Sequence, residues 1–309
     1  MILGVDGGNS KTELVAATTY GELAAFVRGP GSNSHGIGAE GTAEVIDELV
    51  RRAGIDGAAT QGAFFLCGAD IPADIAELDA AVARRGWVRA RVVDNDAFAV
   101  LRAGTEAEDA VAVVCGSGIN CVGRAASGRV ARYPSLGWET GDWGGSEALG
   151  REALFVAARA ADGRYPATAL VELVQSHFGM DVGAVGEAVH YRRMQPGRLS
   201  ELAPSIVSLA ADDAAARALV ERLAAEIALL VERALRDLGV DSADVVLGGG
   251  MLEPGVGSLH DAVLARLPVG ARPLVSQDRP VVGAALAALD AAGASEQAKA
   301  RLRREVRAH

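Results

Sequence analysis

The segment from Ile2 to Val15 constrains the fold of this 309-residue chain more than any other. An apolar run ends at Asp6, and Gly7-Gly8-Asn9-Ser10-Lys11-Thr12 separates it from a second apolar run. Two such runs joined by a short glycine-containing connection are typical of a β-hairpin. Glycines in the turn can take backbone angles that other residues avoid, so several N–H groups can point at one anion. The segment therefore predicts a strand–turn–strand unit that binds phosphate.

Hydrophobic periodicity along the first hundred residues predicts the order βββαβαβα. This order is typical of a three-strand meander followed by α/β crossover units. A polar loop is expected from Gly29 to Gly38, ahead of the first helix. The predicted elements are strands at 2–6, 13–18, 22–28, 62–67 and 91–93 and helices at 39–53, 72–85 and 97–103.

The opening pattern recurs farther along the chain, where Ala110–Val114 leads into Cys115-Gly116-Ser117-Gly118 and Ile119–Gly123 leads out. The recurrence predicts a duplicated plan, with an N-terminal domain at 1–104 and a C-terminal domain with a helical insertion at 105–294. A tail helix at 295–308 is expected to pack on the first domain. Two domains that each present a glycine-rich hairpin can hold phosphates in a cleft between them and exclude water. Later elements are predicted as helices at 146–161, 217–238, 258–266 and 281–292 and strands at 244–247 and 272–275.

The composition argues against several functional classes. The formal charge is −10, and no basic stripe with interleaved aromatic residues is present, so nucleic-acid binding is not expected. No apolar run reaches about 18 residues and no signal-peptide pattern precedes the first strand, which favours a soluble cytoplasmic protein without membrane contact. Cys67, Cys115 and Cys121 are predicted to be reduced core thiols, and the five histidines lack metal-ligand spacing.

Two common nucleotide-binding motifs fail at these turns. In a P-loop aligned on Lys11-Thr12, the required glycines would be Val5 and Ser10, and a strand follows instead of a helix. Gly116-Ser117-Gly118-Ile119-Asn120-Cys121 lacks the third glycine of GxGxxG and also leads into a strand. One glycine-rich turn is most often a plain connection between strands. Two such turns, with a strand that ends in Gly248-Gly249-Gly250-Met251, favour a nucleotide site.

Asn95 and Asp96 follow a predicted strand at the point where the next helix begins. Ligand sites gather at this edge of open α/β sheets, and a carboxylate there suits a general base. The alternative interpretation is a helix N-cap, for which Asn and Asp are favoured. Asp94 and Asp96 flank Asn95, and two acidic residues are more than a helix cap requires. We therefore predict that Asp96 accepts the proton of an attacking hydroxyl.

Two polar loops contain candidate sugar ligands. Asn33 and His35 lie between Gly29 and Gly36, and an asparagine amide can both donate to and accept from hydroxyls. The alternatives are a solvated surface loop and, for His35, packing beside a helix. The candidates in the second loop are Trp138, Asp142 and Trp143, because indole rings stack on sugar faces and a carboxylate accepts from hydroxyls. Core burial is the alternative for each Trp, although a glycine-rich polar loop is an unfavourable place to bury one.

In this order the motifs resemble those of the sugar kinase/Hsp70/actin superfamily, and within it the N-acetylglucosamine kinase and BadF/BadG-type (benzoyl-CoA-reductase-activator) ATPase family. Gly4–Thr12 looks like the first phosphate motif, and Gly116–Asn120 looks like the second. Val246–Gly250 looks like the adenosine motif, and Pro280–Ala285 resembles the closing helix. The resemblance covers nearly the whole chain. It implies an α/β fold of two ribonuclease H-like, actin-like ATPase domains with a cleft between them.

The resemblance also implies roles for individual residues. Asp96 matches the catalytic base, Asn33 the sugar-binding asparagine, and Trp138 and Asp142 the Gly-Trp…Gly-Asp sugar segment; Asp6 is expected to position Mg²⁺ through water. Departures fall on the acceptor side: Trp143 replaces a family glutamate, and His35 stands where the vertebrate enzyme has Trp. The expected phosphate and ATP residues are Asp6, Gly7, Gly8, Asn9, Ser10, Lys11, Thr12, Gly116, Ser117, Gly118, Gly248, Gly249, Gly250 and Met251. The expected sugar residues are Asn33, His35, Asn95, Asn120, Trp138, Asp142 and Trp143.

We therefore expect an ATP- and Mg²⁺-dependent kinase of a hexose or amino sugar, with N-acetylglucosamine or glucosamine phosphorylated at O6. ATP and the sugar are the expected partners, and a homodimer is a possible assembly. One alternative is an ATPase that activates a dehydratase or reductase and shares an iron–sulfur cluster across a dimer, but the three cysteines lie in or beside predicted strands. The other is a silent ATP- or sugar-binding sensor, against which Asp6, Asp96 and Asp142 argue.

Overall fold

The computed structural model describes residues 1–253 and 258–309, and within them the chain forms ten strands and eleven α-helices. The predicted order βββαβαβα of the first hundred residues is present. The strands are β1 Ile2–Gly7, β2 Lys11–Ala17, β3 Leu23–Pro30, β4 Ala59–Leu66, β5 Val88–Asn95, β6 Ala110–Cys115, β7 Ile119–Arg124, β8 Val130–Arg132, β9 Ala243–Gly248 and β10 Ala271–Val275. The helices are α1 Ser34–Arg52, α2 Pro72–Arg85, α3 Ala97–Gly104, α4 Gly145–Ala161, α5 Leu170–Phe178, α6 Val182–His190, α7 Ala203–Leu209, α8 Ala214–Leu238, α9 Leu259–Leu264, α10 Pro280–Ala291 and α11 Glu296–Arg307.

Two compact units divide the chain, and unit 1 contains both chain ends. Unit 1 comprises Met1–Ala112 and Ser276–His309, and unit 2 comprises Val113–Val275. This division differs from the predicted boundaries at 104 and 294, because α10 packs on β1 and α3 of unit 1. Small residues allow the close approach: a Cβ at Gly4 would lie 2.3 Å from Ala285 N. Helix α11 contacts β3 and α10, also in unit 1.

The sheet of unit 1 has the strand order β3-β2-β1-β4-β5. β1 is antiparallel to β2 but parallel to β4, which is parallel to β5. Register pairs Gly7 with Leu66 and Leu66 with Asn95, so the carboxyl ends of β1, β4 and β5 are aligned at one edge. Alternate residues cover the two faces: Leu3 packs with the apolar side of α1 and α2, whereas Ile2 packs with α10.

One predicted loop in unit 1 is shorter than expected. β3 continues to Pro30, which pairs with Lys11, and α1 already begins at Ser34, so the prediction of a loop from Gly29 to Gly38 is wrong. The sequence signal was misleading because α1 contains a kink at Gly38, where φ is 73°. Residues before the kink therefore lack the apolar periodicity of a continuous helix.

The sheet of unit 2 has the order β10-β9-β6-β7-β8, and helices α4–α9 lie between β8 and β10 in sequence. Helix α8 starts three residues earlier than its apolar stripe predicts, because Asp213 caps it by accepting from Ala216 N. The helix ends at Gly239, which has a left-handed φ of 69°. Among the described residues, no helix combines the length and hydropathy needed to cross a membrane.

Candidate active site

The β1–β2 turn of unit 1 is fixed by backbone hydrogen bonds. Gly8 N donates to Lys11 O at 2.9 Å, and Gly8 O accepts from Ser32 N at 3.0 Å. Neither Gly7 nor Gly8 has a positive φ, so the prediction that they supply unusual backbone angles is wrong. Gly7 is needed for a close approach instead: a Cβ there would lie 2.7 Å from both Leu66 Cδ2 and Ser32 Oγ. The turn is therefore packed tightly against the neighbouring loops.

The polar side chains of this turn divide into two groups. Asn9, Ser10 and Lys11 are exposed at its tip. Thr12 is fully buried, and its hydroxyl donates to Ser32 Oγ at 2.7 Å. Thr12 thus supports the turn from inside, whereas Asn9, Ser10 and Lys11 form its exposed surface.

Asp6 ends β1 as a buried carboxyl, opposite Glu13 of β2. Burial raises the pKa of Asp6 well above its usual value, and the negative charges of Asp96 and Glu13 raise it further, while Lys11 opposes them. A divalent cation beside this carboxylate would reduce that repulsion. No group of three or more His, Cys, Asp or Glu side chains in the described residues is arranged to hold a metal. A single carboxylate with water and phosphate ligands is a common arrangement for Mg²⁺, and Asp6 fits it.

Asp96 is the N-cap residue of α3 at the same sheet edge, and the Asn95 side chain accepts the hydrogen bond at the start of the helix. Asn95 Oδ1 accepts from Ala97 N at 2.9 Å, whereas Asp96 makes no capping hydrogen bond through its side chain. Burial raises the pKa of Asp96 to about 7, and the charge of Asp70 adds to the shift. Asp96 therefore occupies the N-cap position without capping through its side chain, and a pKa near neutrality is the property that a general base requires.

Asp70 is a member of this cluster that the sequence analysis missed. Its Oδ1 accepts from Asn95 Nδ2 at 2.7 Å, and its Oδ2 lies 3.6 Å from His35 Nε2. Asn95 is buried, and both ends of its amide make protein contacts, so it has a structural role; its contact with sugar stays a prediction. The rule that ligand residues follow parallel strands, which identified Asp96, applies equally to Asp70 after β4.

Asn33 and His35 lie at the start of α1, near Asp70. Asn33 is the N-cap, with Oδ1 accepting from His35 N at 3.0 Å, and its Nδ2 donates to Asn9 Oδ1 at 3.2 Å. His35 is half-exposed. Gly68 allows this approach, because its φ is 86° and a Cβ there would lie 2.3 Å from Ser34 Oγ. Unit 1 thus brings Asp6, Asn33, His35 and Asp96 to one sheet edge.

In unit 2 the β6–β7 turn is joined to the start of α4. Ser146 N donates to Gly116 O at 2.9 Å, and Glu147 N donates to Ser117 O at 3.0 Å. Gly145 has a φ of 76°, and a Cβ there would lie 2.3 Å from Ser117 O. Gly145 therefore needs to be glycine for both backbone angle and space.

At the two glycines of the turn itself, neither the backbone angle nor the surrounding space requires glycine. Neither Gly116 nor Gly118 has a positive φ, and a Cβ at either would meet nothing within 4 Å. Gly249 differs, with a φ of 86° and a Cβ position 2.3 Å from Cys115 O, so the Gly248–Gly250 strand end lies against the end of β6. Met251 follows as a buried side chain in a 3₁₀ turn. The two predicted ATP motifs of unit 2 are thus adjacent.

Three sugar-side candidates of unit 2, Trp138, Asp142 and Trp143, line a cavity of about 380 Å³ beside the turn. Trp138 is 75% exposed, and the Asp142 carboxylate is hydrogen-bonded to Thr140. Trp143 is only 8% exposed, and the Arg222 guanidinium lies 3.9 Å from its ring centroid. The expectation that this loop would not bury a Trp is therefore wrong for Trp143. The cavity is lined by Ser117, Gly118, Trp138, Asp142, Trp143, Glu147 and Arg151, among others.

Asn120 and the three cysteines lie in or beside strands. Asn120 Oδ1 accepts from Cys121 N at 2.7 Å, and Asn120 lies on β7 beside the turn, partly exposed. All three cysteines are free thiols; Cys115 and Cys121 are buried in strands, and Cys67 is partly buried. Burial raises the pKa of Cys115 to about 12 and raises those of the other two as well. Burial therefore keeps these thiols protonated in the metal-free protein.

Comparison with solved structures identifies the fold. A protein from Chromobacterium violaceum with the provisional name N-acetylglucosamine kinase has a TM-score of 0.72 and 24% identity, over 92% of this chain and 97% of that one. The ROK family glucokinase from Streptomyces griseus, solved with glucose and AMPPNP, has a TM-score of 0.58 and 18% identity, over 94% of this chain and 99% of that one. The predicted fold of two ribonuclease H-like domains is confirmed.

Sequence comparison identifies the family. A curated relative, the N-acetylmuramic acid/N-acetylglucosamine kinase of Clostridium acetobutylicum, is 31% identical over 175 residues. That match covers 55% of this chain but only 57% of the relative. The sequence profile of the BadF/BadG/BcrA/BcrD ATPase family matches residues 3–288, nearly the whole chain. The resemblance drawn from the motifs is confirmed: the chain belongs to the BadF/BadG/BcrA/BcrD ATPase family.

Proposed function

We propose that the chain is a cytoplasmic ATP-dependent sugar kinase that transfers the γ-phosphate to a hydroxyl of a hexose or amino sugar, with N-acetylglucosamine or glucosamine phosphorylated at O6. The observation that carries the proposal is Asp96. It is a carboxyl with a pKa of about 7 at the carboxyl-terminal edge of three parallel strands, where open α/β sheets usually bind ligands, and its side chain makes no capping hydrogen bond. The names of the relatives from Clostridium, Chromobacterium and Streptomyces support the choice of acceptor class.

In this proposal Asp96 accepts the proton of the sugar hydroxyl as that oxygen attacks the γ-phosphorus. Asn33 and His35 are the proposed sugar ligands of unit 1, and Trp138 and Asp142, the proposed sugar ligands of unit 2, line the cavity of that unit. Backbone N–H groups of the two glycine-rich turns bind phosphate oxygens and stabilise the charge that develops during transfer. The open space above Gly116 and Gly118 supports this role, because neither the backbone nor the protein's own packing requires glycine there.

Asp6 would hold Mg²⁺, through water, next to the phosphates. The bound ion would supply charge neutralisation for the β- and γ-phosphates. The buried position of Asp6 opposite Glu13 and near Asp96 supports this assignment, since a cation compensates for carboxylates gathered away from water. In this position Asp6 would keep the charge of the ion close to the β1–β2 turn. Lys11, whose Nζ lies 3.5 Å from Glu13 Oε1, adds a second positive group there.

The family name also covers ATPases that activate a reductase, and the cysteines argue against that function here. A cluster shared by two subunits needs exposed thiolates at a dimer axis. Two of the three thiols are buried in strands of one unit, and burial raises the pKa of all three. Protein purified without oxygen should be colourless; the visible absorption of an iron–sulfur cluster would favour the activator function instead.

A coupled ADP-release assay over hexoses, amino sugars and N-acetylated amino sugars tests the proposal. Asp96→Asn should lower sugar-dependent kcat by about 10²- to 10⁴-fold, the usual contribution of a general base. ATP affinity should stay within about twofold, because the substitution is isosteric and lies on the acceptor side.

The matched control is Asp79→Asn on α2, which removes a carboxylate bonded to Arg91 on the surface of the same unit. This control should retain wild-type turnover. Near-wild-type turnover by Asp96→Asn would show that Asp96 is not the catalytic base. ADP release that no sugar increases would instead favour the sensor or activator function.

A further inference from the structure

Asp70 has no part in the mechanism above, although it is largely buried beside the proposed base. It lies in the connection after β4, and β4 is the strand between β1 and β5. Because these three strands are parallel, the connection that contains Asp70 lies between those that follow β1 and β5. Its side chain is 9% exposed, so its oxygen atoms face protein groups more than solvent.

The first oxygen of Asp70 fixes the start of α3. Asp70 Oδ1 accepts from Asn95 Nδ2 at 2.7 Å, and Asn95 Oδ1 accepts from Ala97 N at 2.9 Å. The Asn95 amide cannot rotate without losing both hydrogen bonds. Asp96 lies in the chain between these two anchored residues, so the orientation of the base depends on a contact that Asp70 completes.

The second oxygen of Asp70 faces the start of α1. His35 Nε2 lies 3.6 Å from Asp70 Oδ2 and 3.8 Å from Asp74 Oδ2. The backbones also meet here, since Ser34 N donates to Cys67 O at 3.3 Å. The segment that contains Asn33 and His35 is therefore held against the connection after β4.

On the basis of the proposed kinase function, we propose that Asp70 is a positioning residue that uses one carboxylate to hold Asp96, through Asn95, and the sugar-side residue His35 in fixed relative positions. The two parts of this role depend on different chemistry. Asn95 needs only an acceptor oxygen at position 70. The second carboxylate oxygen places a negative charge beside His35.

Two substitutions separate these parts. Asp70→Ala removes both, whereas Asp70→Asn keeps an acceptor for Asn95 and removes the nearer of the two carboxylate charges beside His35, leaving that of Asp74. We expect Asp70→Ala to lower kcat by about tenfold or more, the effect of losing a hydrogen bond to an ionised group that orients the reacting base. Asp70→Asn should keep most of kcat. Both variants should raise the sugar KM and leave the ATP KM within about twofold, and Asp79→Asn should match the wild type in all three.

Amide hydrogen exchange at Ala97 gives a readout that needs no substrate. Ala97 N is the donor to Asn95, so its exchange should be about tenfold faster in Asp70→Ala and close to wild type in Asp70→Asn and Asp79→Asn. Unchanged exchange in Asp70→Ala, or an ATP KM that rises as much as the sugar KM, would overturn the proposal. If Asp70→Ala does not fold, an unchanged sugar KM in Asp70→Asn overturns it. If the wild type releases no ADP in response to sugar, the kinase function is contradicted. The positioning role of Asp70 can still be tested, because amide exchange at Ala97 needs no substrate.

Discussion

Replacing Gly118 by alanine tests whether the β6–β7 turn exists to meet a ligand. Gly118 has no positive φ, and a Cβ there would lie in open space. Its neighbour Gly145 offers a matched comparison, because it contacts the same turn but has a φ of 76°. The same substitution at the two positions should therefore have opposite consequences for stability and for nucleotide binding.

The expected magnitudes follow from these two environments. Alanine at 118 should leave the free energy of unfolding unchanged or raise it by up to about 1 kcal/mol, because it restricts only the unfolded chain. Alanine at 145 should lower it by about 2–5 kcal/mol. About 1–2 kcal/mol comes from the left-handed backbone, and about 1–3 kcal/mol comes from displacing Ser117 O, which the new Cβ would approach to 2.3 Å.

Alanine at position 118 should weaken nucleotide binding without lowering the stability of the protein. A methyl group there occupies space that a phosphate needs for contact with the backbone, and we expect the ATP Kd to rise about tenfold. Denaturant unfolding measures the first quantity, and calorimetric titration with a non-hydrolysable ATP analogue measures the second. The reasoning fails if Gly118→Ala binds the analogue as tightly as wild type, or destabilises the protein as much as Gly145→Ala.

Two further predictions concern pH and the C-terminal helix. Sugar-dependent kcat/KM should fall about tenfold per pH unit below a pH of about 7, because protonated Asp96 cannot accept a proton; a rate independent of pH from about 5 to 8 would contradict this assignment. Asp278→Ala should lower the free energy of unfolding by about 2–3 kcal/mol, because the buried carboxylate accepts from Arg303 and Arg307 of α11. This loss of stability is smaller than that expected for a fully buried ion pair, because Arg307 is half-exposed. An unchanged denaturation midpoint in Asp278→Ala would refute the prediction.

Much of the fold could be predicted because local signals agreed with the final packing. Alternating apolar residues and glycine-rich turns identified β1 and β2, and Pro72 marked the first residue of α2. The signal failed at the start of α1, where a kink at Gly38 interrupts the helical periodicity. It also failed to assign α10 to unit 1, because the packing of that helix depends on contacts between residues far apart in the sequence, such as that of Gly4 with Ala285 of α10.

The candidate site was less predictable because its details depend on such distant contacts. The sequence indicated that Gly7 matters, but the reason is the space beside Ser32 and not the backbone angle. The burial of Trp143 depends on Arg222 of α8, which no local pattern reveals. Asp70 could have been found, since it follows a parallel strand as Asp96 does, but only the strand order of the sheet places it between β1 and β5.

The central claim is that Asp96 serves the transfer of phosphate to a sugar hydroxyl. The most direct test is to incubate the protein with ATP, Mg²⁺ and N-acetylglucosamine or glucosamine and to measure sugar phosphate and ADP in the same sample. The account predicts one sugar 6-phosphate for each ADP in the wild type and almost none with Asp96→Asn. ADP formed without any sugar phosphate, or equal amounts of sugar phosphate from both proteins, would contradict it.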